Sequence, residues 1–362
     1  MYKNALAIFI LVAVSGCSIP FEPDSPKSED SPQNHGIVVE RIAENLEIPW
    51  AIGFLPDGRM IFTERPGRVK VLENGSAHEI KGVVHLGESG LQGIAVDPEF
   101  AENGYIYLYY TYTENSALLN RISRFALKND SLENETTLLE GIPGNVYHDG
   151  GRLGFGPDGK LYASTGDSGN PESSQDKNSL AGKMLRLNKD GSMPGDNPFG
   201  NYVYSYGHRN PQGFDWHPQS GTLVSTEHGP SKNDEVNIIE KGANYGWPEK
   251  LCGEANTEKG FSEAIVCFGE WTMAPSGAAF YSGGKQQLKN AFVYAGLRGE
   301  QIRAAYIEGG KLVKDEKLLD GYGRIRDIQE GPDGRLYFAT NNTDGRGNPK
   351  KGDDGIYAIT AK

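Results

Sequence analysis

Short apolar runs bounded by tight turns recur along most of the chain. Four of them follow a Pro-containing turn, at Pro56, Pro157, Pro218 and Pro332, and each continues into a short stretch of apolar and small residues. Pro and Gly at such positions are typical of β-turns, and the runs that follow are too short for ordinary helices. The pattern therefore predicts many short strands rather than a helical protein.

Weaker copies of this turn begin at Pro98 and Pro275, so that six marker prolines lie 42 to 61 residues apart. A repeat of this length has room for four strands, and radial repetition of four-stranded sheets gives a β-propeller. We therefore predict an all-β, six-bladed β-propeller with four antiparallel strands per blade. A pair of β-sandwiches is the alternative, but it gives no reason for the regular spacing. Residues 286–293 are the one short stretch that we expect to be helical.

The first 36 residues precede the repeats. Lys3 and the apolar run from Ala5 to Val14 are typical of a secretory signal, because ten residues are too few to span a bilayer. The run ends at Cys17 in a sequence that resembles a bacterial lipobox, so residues 1–17 are predicted to be a lipoprotein signal. A plain signal peptide with an incidental Cys is the alternative. Residues 18–36, rich in Pro, Ser and acidic groups, predict a disordered tether, and residues 37–362 the propeller.

Charge and cysteine content exclude some classes of function and indicate a cellular location. The chain has 36 basic and 48 acidic residues, a formal net charge of −12, which disfavours a nucleic-acid-binding surface. We expect an exported protein, periplasmic or on the outer cell surface, attached to a membrane only through lipid on Cys17. In an oxidising compartment Cys252 and Cys267 would pair as a disulfide, the alternative being two free buried thiols.

The ends of the predicted strands carry polar residues that a propeller would gather on one face. His148 and Asp167 lie nineteen residues apart, at the two ends of a predicted strand pair. A hairpin would return the carboxylate beside the imidazole, and such a carboxylate fixes the tautomer of a general base. The alternative is an ordinary histidine in a surface loop.

Two further groups have distinct chemistry. Arg209, Arg298, Arg324 and Arg326 in an acidic protein indicate a site for a polyanion or polycarboxylate, although any one of them alone could be a surface ion pair. The carboxylates, amides and loop carbonyls of residues 227–248 are hard oxygen ligands that suit calcium, the alternative being a capped acidic turn.

Several motifs together resemble one family. They are Gly90-Leu91-Gln92-Gly93-Ile94-Ala95, residues 182–191 (GKMLRLNKDG), Tyr206-Gly207-His208-Arg209-Asn210-Pro211-Gln212-Gly213 and residues 242–248 (GANYGWP). The sequence from about residue 48 to residue 357 is similar to the soluble quinoprotein glucose and aldose sugar dehydrogenases, which use pyrroloquinoline quinone (PQQ). The resemblance implies a six-bladed propeller, in agreement with the repeats.

The resemblance also implies roles for individual residues. His148 matches the catalytic base, Asp167 the carboxylate that orients it, and Arg209 a group that contacts both cofactor and sugar. Asn210, Arg324 and Arg326 match further cofactor contacts. The carbonyls of Gly229 and Pro230 match ligands of the calcium that coordinates the quinone, and Glu235 and Tyr245 match positions at a second, structural calcium.

Three residues depart from the glucose dehydrogenases. Arg298 stands where they have Lys, Glu88 where they have a Gln near cofactor and substrate, and Tyr147 where they have an Asp that helps to define the sugar site. These differences favour the broader aldose dehydrogenase branch.

The resemblance thus implies oxidation of an aldose at C1 to an aldonolactone, with PQQ and Ca²⁺ as cofactors and a separate electron acceptor that the sequence does not identify. We expect a monomer or weak dimer. A calcium-dependent lactonase and a non-catalytic extracellular binding propeller are the alternatives. The lactonase would have no use for the arginine cluster, and the binding module would be expected to lack the base.

Overall fold

The computed structural model describes residues 37–129, 131–254, 260–283 and 288–361. The predicted signal and tether, residues 1–17 and 18–36, lie outside the described residues, and so does Cys17. Within the described part, helix is limited to α1 (Phe100–Asn103) and a 3₁₀ turn (Pro171–Ser174). No helix in this part has the length and apolar character needed to cross a membrane.

The remaining regular structure is β-strand. In chain order the strands are β1 (Ile37–Ala43), β2 (Pro49–Phe54), β3 (Met60–Glu64), β4 (Arg68–Val71), β5 (Ser76–Glu79), β6 (Leu91–Val96), β7 (Tyr105–Glu114), β8 (Ala117–Lys128), β9 (Ser131–Pro143), β10 (Leu153–Phe155), β11 (Leu161–Thr165), β12 (Lys183–Leu187), β13 (Val203–Tyr206), β14 (Pro211–Trp216), β15 (Leu223–Glu227), β16 (Asp234–Ile239), β17 (Val266–Phe268), β18 (Pro275–Phe280), β19 (Phe292–Gly296), β20 (Gln301–Glu308), β21 (Lys311–Asp320), β22 (Ile325–Glu330), β23 (Leu336–Thr340) and β24 (Ile356–Ala361). They form six antiparallel sheets of four strands each, and the predicted six-bladed β-propeller is confirmed.

The sixth sheet joins the two ends of the described chain. Five sheets use consecutive strands, namely β2–β5, β6–β9, β10–β13, β14–β17 and β18–β21. The last has the order β22-β23-β24-β1, with Arg41 opposite Tyr357 in the pairing of its two outer strands. The first strand therefore completes the last blade and closes the ring.

Apolar side chains are buried between neighbouring sheets. The described residues form six apolar clusters, each uniting two adjacent blades, so that the packing runs continuously around the ring. The second strands β3, β11, β15, β19 and β23 are buried along their whole length. Both faces of these strands pack against a neighbouring blade, which explains why the runs after the turn markers are apolar without alternation.

Glycine allows the innermost strands to approach one another closely. A Cβ atom on Gly93 would lie 2.2 Å from the carbonyl oxygen of Gly151, and one on Gly213 would lie 2.1 Å from that of Ser276. This close packing gathers the loops at the strand ends around one axis.

Two details of the sequence interpretation are wrong. Pro275 is not a turn marker: it begins the innermost strand β18, as Pro49 and Pro211 begin β2 and β14. The predicted helical stretch is also incorrect where it is described, because residues 288–290 form a turn and strand β19 begins at residue 292.

Candidate active site

A hairpin brings His148 and Asp167 together. His148 precedes β10, Asp167 follows β11, and the two strands pair directly. The imidazole Nδ1 lies 2.7 Å from Asp167 Oδ1, with the histidine side chain 17% exposed and the aspartate 1% exposed. Gly166 permits this approach, because a Cβ there would lie 1.9 Å from the His148 carbonyl oxygen.

The surroundings of Asp167 favour its ionised form. Burial acts to raise its pKa, but the hydrogen bond and charge of His148, the N–H of Gly169 (2.9 Å) and the indole N–H of Trp247 (2.9 Å) outweigh burial, and the pKa is lowered. An ionised carboxylate accepts a proton-bearing Nδ1, which leaves the Nε2 of His148 as the basic nitrogen.

Arg209 and Asn210 lie in the next loop, between β13 and β14. Arg209 Nη1 donates to the carbonyl oxygens of Gly229 (2.9 Å) and His228 (3.2 Å), and its guanidinium lies 5.4 Å from the ring centre of Trp247. Burial lowers the pKa of Arg209, while Asp167 and other nearby carboxylates oppose that effect. The backbone N–H of Asp167 also donates to the Arg209 carbonyl at 2.8 Å, so the loops of base and arginine are joined directly.

A cavity of about 280 Å³ collects most of the predicted arginines. Its lining consists of Trp50, Glu88, Gln92, Gln212, His228, Ala274, Leu297, Arg298, Arg324, Arg326 and Arg346. Arg326 Nη1 donates to Gln212 Oε1 (2.5 Å), and Arg324 Nη2 donates to Asp344 Oδ2 (2.9 Å). Burial lowers the pKa of Arg326 to about 9. Arg298 is exposed at the cavity wall.

Glu88 joins the cavity to the base. Its Oε2 accepts the backbone N–H of His148 (3.1 Å), and its Oε1 pairs with Arg346 Nη1. Burial acts to raise the pKa of Glu88, but the charge and hydrogen bond of Arg346 and the His148 N–H lower it to about 2. His148 has a positive φ of 61°, and this hydrogen bond helps to hold its backbone in that strained region.

Sequence reasoning missed two of the ionisable residues that line the cavity. Arg346 lies in the loop between β23 and β24, where no repeat or motif marks it. His228 lies within the Glu-His-Gly-Pro segment, which signalled only oxygen ligands. Burial lowers the pKa of His228 to about 3, so the ring is neutral, and its Nε2 has no hydrogen-bond partner among the described residues.

A second histidine–carboxylate pair repeats the spacing of the first. His208 Nδ1 lies 2.9 Å from Glu227 Oε2, again nineteen residues along the chain, but its Nε2 is bonded to Ser205 Oγ at 2.9 Å. The ring is fully buried and stacks on Tyr245. Both nitrogens of His208 are engaged, so it supports the Arg209 loop and has no free basic atom.

Lys183 stabilises the loop that follows Asp167. Its buried ammonium group donates to the carbonyl oxygens of Ser173 (2.8 Å), Ser174 (3.0 Å) and Ala181 (2.5 Å). Ser174 Oγ in turn donates to the His208 carbonyl oxygen at 2.7 Å. Lys183 thereby fixes the loop that connects Asp167 to the next strand.

The residues predicted as calcium ligands line a second, narrow cavity beside Arg209. Gly229, Pro230, Glu235 and Tyr245 all contribute to it. Burial and then the neighbouring Glu227 raise the pKa of Glu235 to about 8. The Tyr245 hydroxyl donates to the Ile238 carbonyl (2.6 Å), so any metal contact from Tyr245 would use its backbone oxygen.

The chemistry of this cavity fits a hard cation, because its carboxylates and loop carbonyls are oxygen donors, and a positive ion would stabilise the ionised form of Glu235 that burial disfavours. In the described residues no three His, Cys, Asp or Glu side chains form a metal-binding group, so backbone oxygens would have to complete a site. Cys252, which also lines the cavity, is joined to Cys267 in a disulfide.

Unpaired donors mark the predicted cofactor residues. Four of their side-chain nitrogens are buried without a partner among the described residues: Arg209 Nε, Asn210 Nδ2, Arg324 Nε and Arg326 Nε. Buried donors normally find acceptors, so these atoms fit a ligand rich in carboxylate and carbonyl oxygens. PQQ, a tricarboxylate ortho-quinone, is such a ligand.

Comparison with known proteins decides the family. The family model for Glucose / Sorbosone dehydrogenase matches residues 46–348. The chain belongs to this family. The predictions of a soluble quinoprotein sugar dehydrogenase family and of an oxidoreductase are thereby confirmed, and membership favours a dehydrogenase over the lactonase and the binding module.

Three relatives of this dehydrogenase show how far the similarity extends. It is 33% identical over 338 residues to the aldose sugar dehydrogenase YliI of Escherichia coli, covering 85% of this chain and 91% of that one. The quinoprotein glucose dehydrogenase B of Acinetobacter calcoaceticus is 36% identical over 247 residues, 57% of this chain and 51% of that protein. The PQQ-bound aldose sugar dehydrogenase of Streptomyces coelicolor superposes with a TM-score of 0.80 at 36% identity, covering 89% and 98% of the two chains.

Proposed function

We propose that this dehydrogenase oxidises aldose sugars at C1 to aldonolactones, with PQQ and calcium as cofactors and His148 as the general base. The observation that carries the proposal is the pairing of His148 with an ionised Asp167 at 2.7 Å. The pair lies beside a loop and a cavity whose arginines have donors without partners in the described part of the chain. A base next to an anion-binding cavity suits removal of a hydroxyl proton while a carboxylate-rich cofactor is held alongside.

His148 Nε2 would accept the proton of the anomeric hydroxyl group. Asp167 would stabilise the imidazolium that forms, because its carboxylate already accepts the Nδ1 hydrogen and is held by Gly169 and Trp247. The positive charge of Arg209 would stabilise negative charge that develops on the sugar oxygen and on the quinone oxygens.

The same arginines would hold the cofactor. Arg324 and Arg326 would bind PQQ carboxylates, and Arg209 and Asn210 would donate from the nitrogens that have no partner among the described residues. The backbone oxygens of Gly229 and Pro230 would supply the calcium ligands. When bound, PQQ supplies an electrophilic quinone carbon that accepts the hydride from C1, and calcium supplies a Lewis acid.

We also propose a second, structural calcium at Glu235 with the backbone oxygen of Tyr245. A cation there would offset the desolvation and the repulsion from Glu227 that raise the Glu235 pKa to about 8. Removal of calcium with a chelator should lower the melting temperature of the wild type more than that of a Glu235→Gln variant, because the variant keeps only the calcium at Gly229 and Pro230. An equal response in both proteins would remove Glu235 from the site.

Reconstitution tests the reaction. The purified chain is loaded with PQQ and CaCl₂, and reduction of an artificial dye is followed in the presence of each of several aldoses. The lactone product is analysed separately. His148→Gln should lower kcat by on the order of 10² to 10⁴ with little change in PQQ affinity. His78→Gln, on the outer strand β5, is the matched control. Full turnover in His148→Gln would refute the assignment of the base.

We further propose export, with lipid on Cys17 holding the enzyme in the periplasm or at the outer cell surface. The disulfide between Cys252 and Cys267 supports an oxidising compartment. Radioactive palmitate should label the full-length wild type and not a Cys17→Ser variant expressed in the same bacterial cells. Equal labelling of both would rule out Cys17 as the anchor.

A further inference from the structure

An exposed aromatic ring lies next to the base. Tyr147 immediately precedes His148 and is 40% exposed, which is unusual for a large side chain in the described part of this protein. Its ring contacts the imidazole edge to face, with the centroids 4.7 Å apart and the planes at 78°. No group among the described residues forms a hydrogen bond with its hydroxyl.

The turn that carries the orienting carboxylate also holds this ring. A Cβ atom on Gly169 would lie 2.9 Å from the Tyr147 hydroxyl oxygen and 3.0 Å from its Cε2. Gly169 has a φ of +76°, and its N–H donates to Asp167 Oδ1 at 2.9 Å. The ring is therefore packed on the backbone of the Asp167 turn, and its exposed position is fixed by local structure rather than left to a mobile side chain.

A fixed, exposed ring beside a proton acceptor has a specific use in sugar chemistry. Pyranoses with equatorial hydroxyl groups present axial C–H bonds on both faces of the ring, and such weakly positive hydrogens are attracted to the negative face of an aromatic ring. A sugar stacked on Tyr147 would have its anomeric hydroxyl held near the neighbouring imidazole. A sugar with an axial hydroxyl on the stacked face would lose part of this contact.

We propose that Tyr147 is the stacking surface for the sugar ring and that it makes the enzyme prefer aldopyranoses with equatorial hydroxyl groups. This inference rests on the proposed function, because it places the substrate of that reaction. Tyr147 is a specificity-determining residue here: it orients the sugar, while the proton goes to His148.

Kinetics of the PQQ-loaded enzyme test the inference with glucose and galactose, which differ in one axial hydroxyl group. Tyr147→Ala should raise the KM for glucose by about fivefold to tenfold, the size expected for one lost aromatic contact. The rise for galactose should be smaller, and Tyr147→Phe should restore the low KM. Met193→Ala, which removes another apolar side chain of 40% exposure, is the control.

Two results would overturn the inference. One is an unchanged KM for glucose in Tyr147→Ala. The other is a loss in kcat with a shifted pH profile and unchanged KM, which would mean that the tyrosine acts on the imidazole and not on the sugar.

A direct binding measurement separates this inference from the proposed function. Isothermal titration of glucose into the PQQ-loaded protein should give an affinity fivefold to tenfold weaker in Tyr147→Ala than in the wild type, even if no dye is reduced. Absence of turnover with this difference in affinity would refute the proposed reaction and retain the stacking surface. Equal affinities, or no detectable sugar binding to the wild type, would refute the stacking surface.

Discussion

Replacing Asp167 by Asn separates the charge of the orienting carboxylate from its shape. The carboxylate receives hydrogen bonds from His148 Nδ1, the Gly169 N–H and the Trp247 indole N–H. An amide has one oxygen and one NH₂ group, so it cannot accept all three. If the amide oxygen keeps the hydrogen bonds from Gly169 and His148, the NH₂ group faces the indole N–H of Trp247, and two donors then face each other. If it keeps Trp247, the NH₂ group faces Nδ1 and favours the tautomer with the proton on Nε2.

Either arrangement weakens the base. The second removes the basic atom outright, and the first removes the negative charge that stabilises the imidazolium. Loss of the carboxylate from comparable histidine pairs lowers turnover by roughly 10² to 10⁴, which corresponds to about 3 to 5 kcal/mol of activation free energy. We expect a fall in kcat within this range and PQQ affinity close to that of the wild type, since Asp167 does not line the arginine cavity.

The assay is single-turnover reduction of PQQ by saturating sugar, followed by its absorbance, with PQQ affinity measured in parallel from tryptophan quenching. Asp176→Asn provides the control, because it makes the same chemical change on an exposed residue of the same loop. A turnover rate for Asp167→Asn within threefold of the control would refute the view that this carboxylate sets the tautomer of His148.

Three other changes have defined outcomes. Arg324→Gln should weaken PQQ binding by roughly tenfold or more, through a lost charged hydrogen bond. Arg335→Gln, at a half-buried position that does not line the cavity, should not; equal affinities would count against the arginine cavity. The pKa of Glu88, about 2 against an ordinary 4.5, means that its ionised form adds stability that is complete above pH 4.5 and is lost as the pH falls towards 2. The melting temperature of Glu88→Gln should therefore fall less than that of the wild type between pH 5 and pH 3, and parallel curves would contradict this. Lys183→Met should lower the free energy of unfolding by about 2 to 4 kcal/mol in urea titrations, because buried carbonyls lose their donor; an unchanged midpoint would exclude that role.

Local turn chemistry carried most of the fold prediction. The Pro-Asp-Gly turns at Pro56, Pro157 and Pro332 precede strands buried on both faces, and this combination is visible in the sequence because a strand packed between two blades needs no polar side. The prediction of a turn at Pro275 is wrong, although the predicted number of blades is correct. A proline at the first position of an innermost strand has the same local surroundings in sequence as one in a turn, and only strand pairing distinguishes them.

Sequence spacing alone does not distinguish the two histidine–carboxylate pairs of this protein. His148 with Asp167 and His208 with Glu227 have the same nineteen-residue separation, and in each blade the first two strands form the hairpin that brings the pair together. What separates them is Ser205, which occupies the second nitrogen of His208 through a contact that no motif encodes. Arg346 was out of reach for a similar reason, since its position depends on how an irregular loop folds back over Glu88.

The pairing of β1 with β24 closes the propeller by holding both ends of the described chain in one blade. Both termini of the described chain lie in the two outer strands of one blade, whereas the base and the arginines lie near the innermost strands, so a fusion partner joined at the end of β24 need not cover the cavity. The same arrangement makes the first strand critical for stability: trimming β1 would remove the outer strand of the last blade together with the apolar contacts that Ile37 makes with the preceding blade.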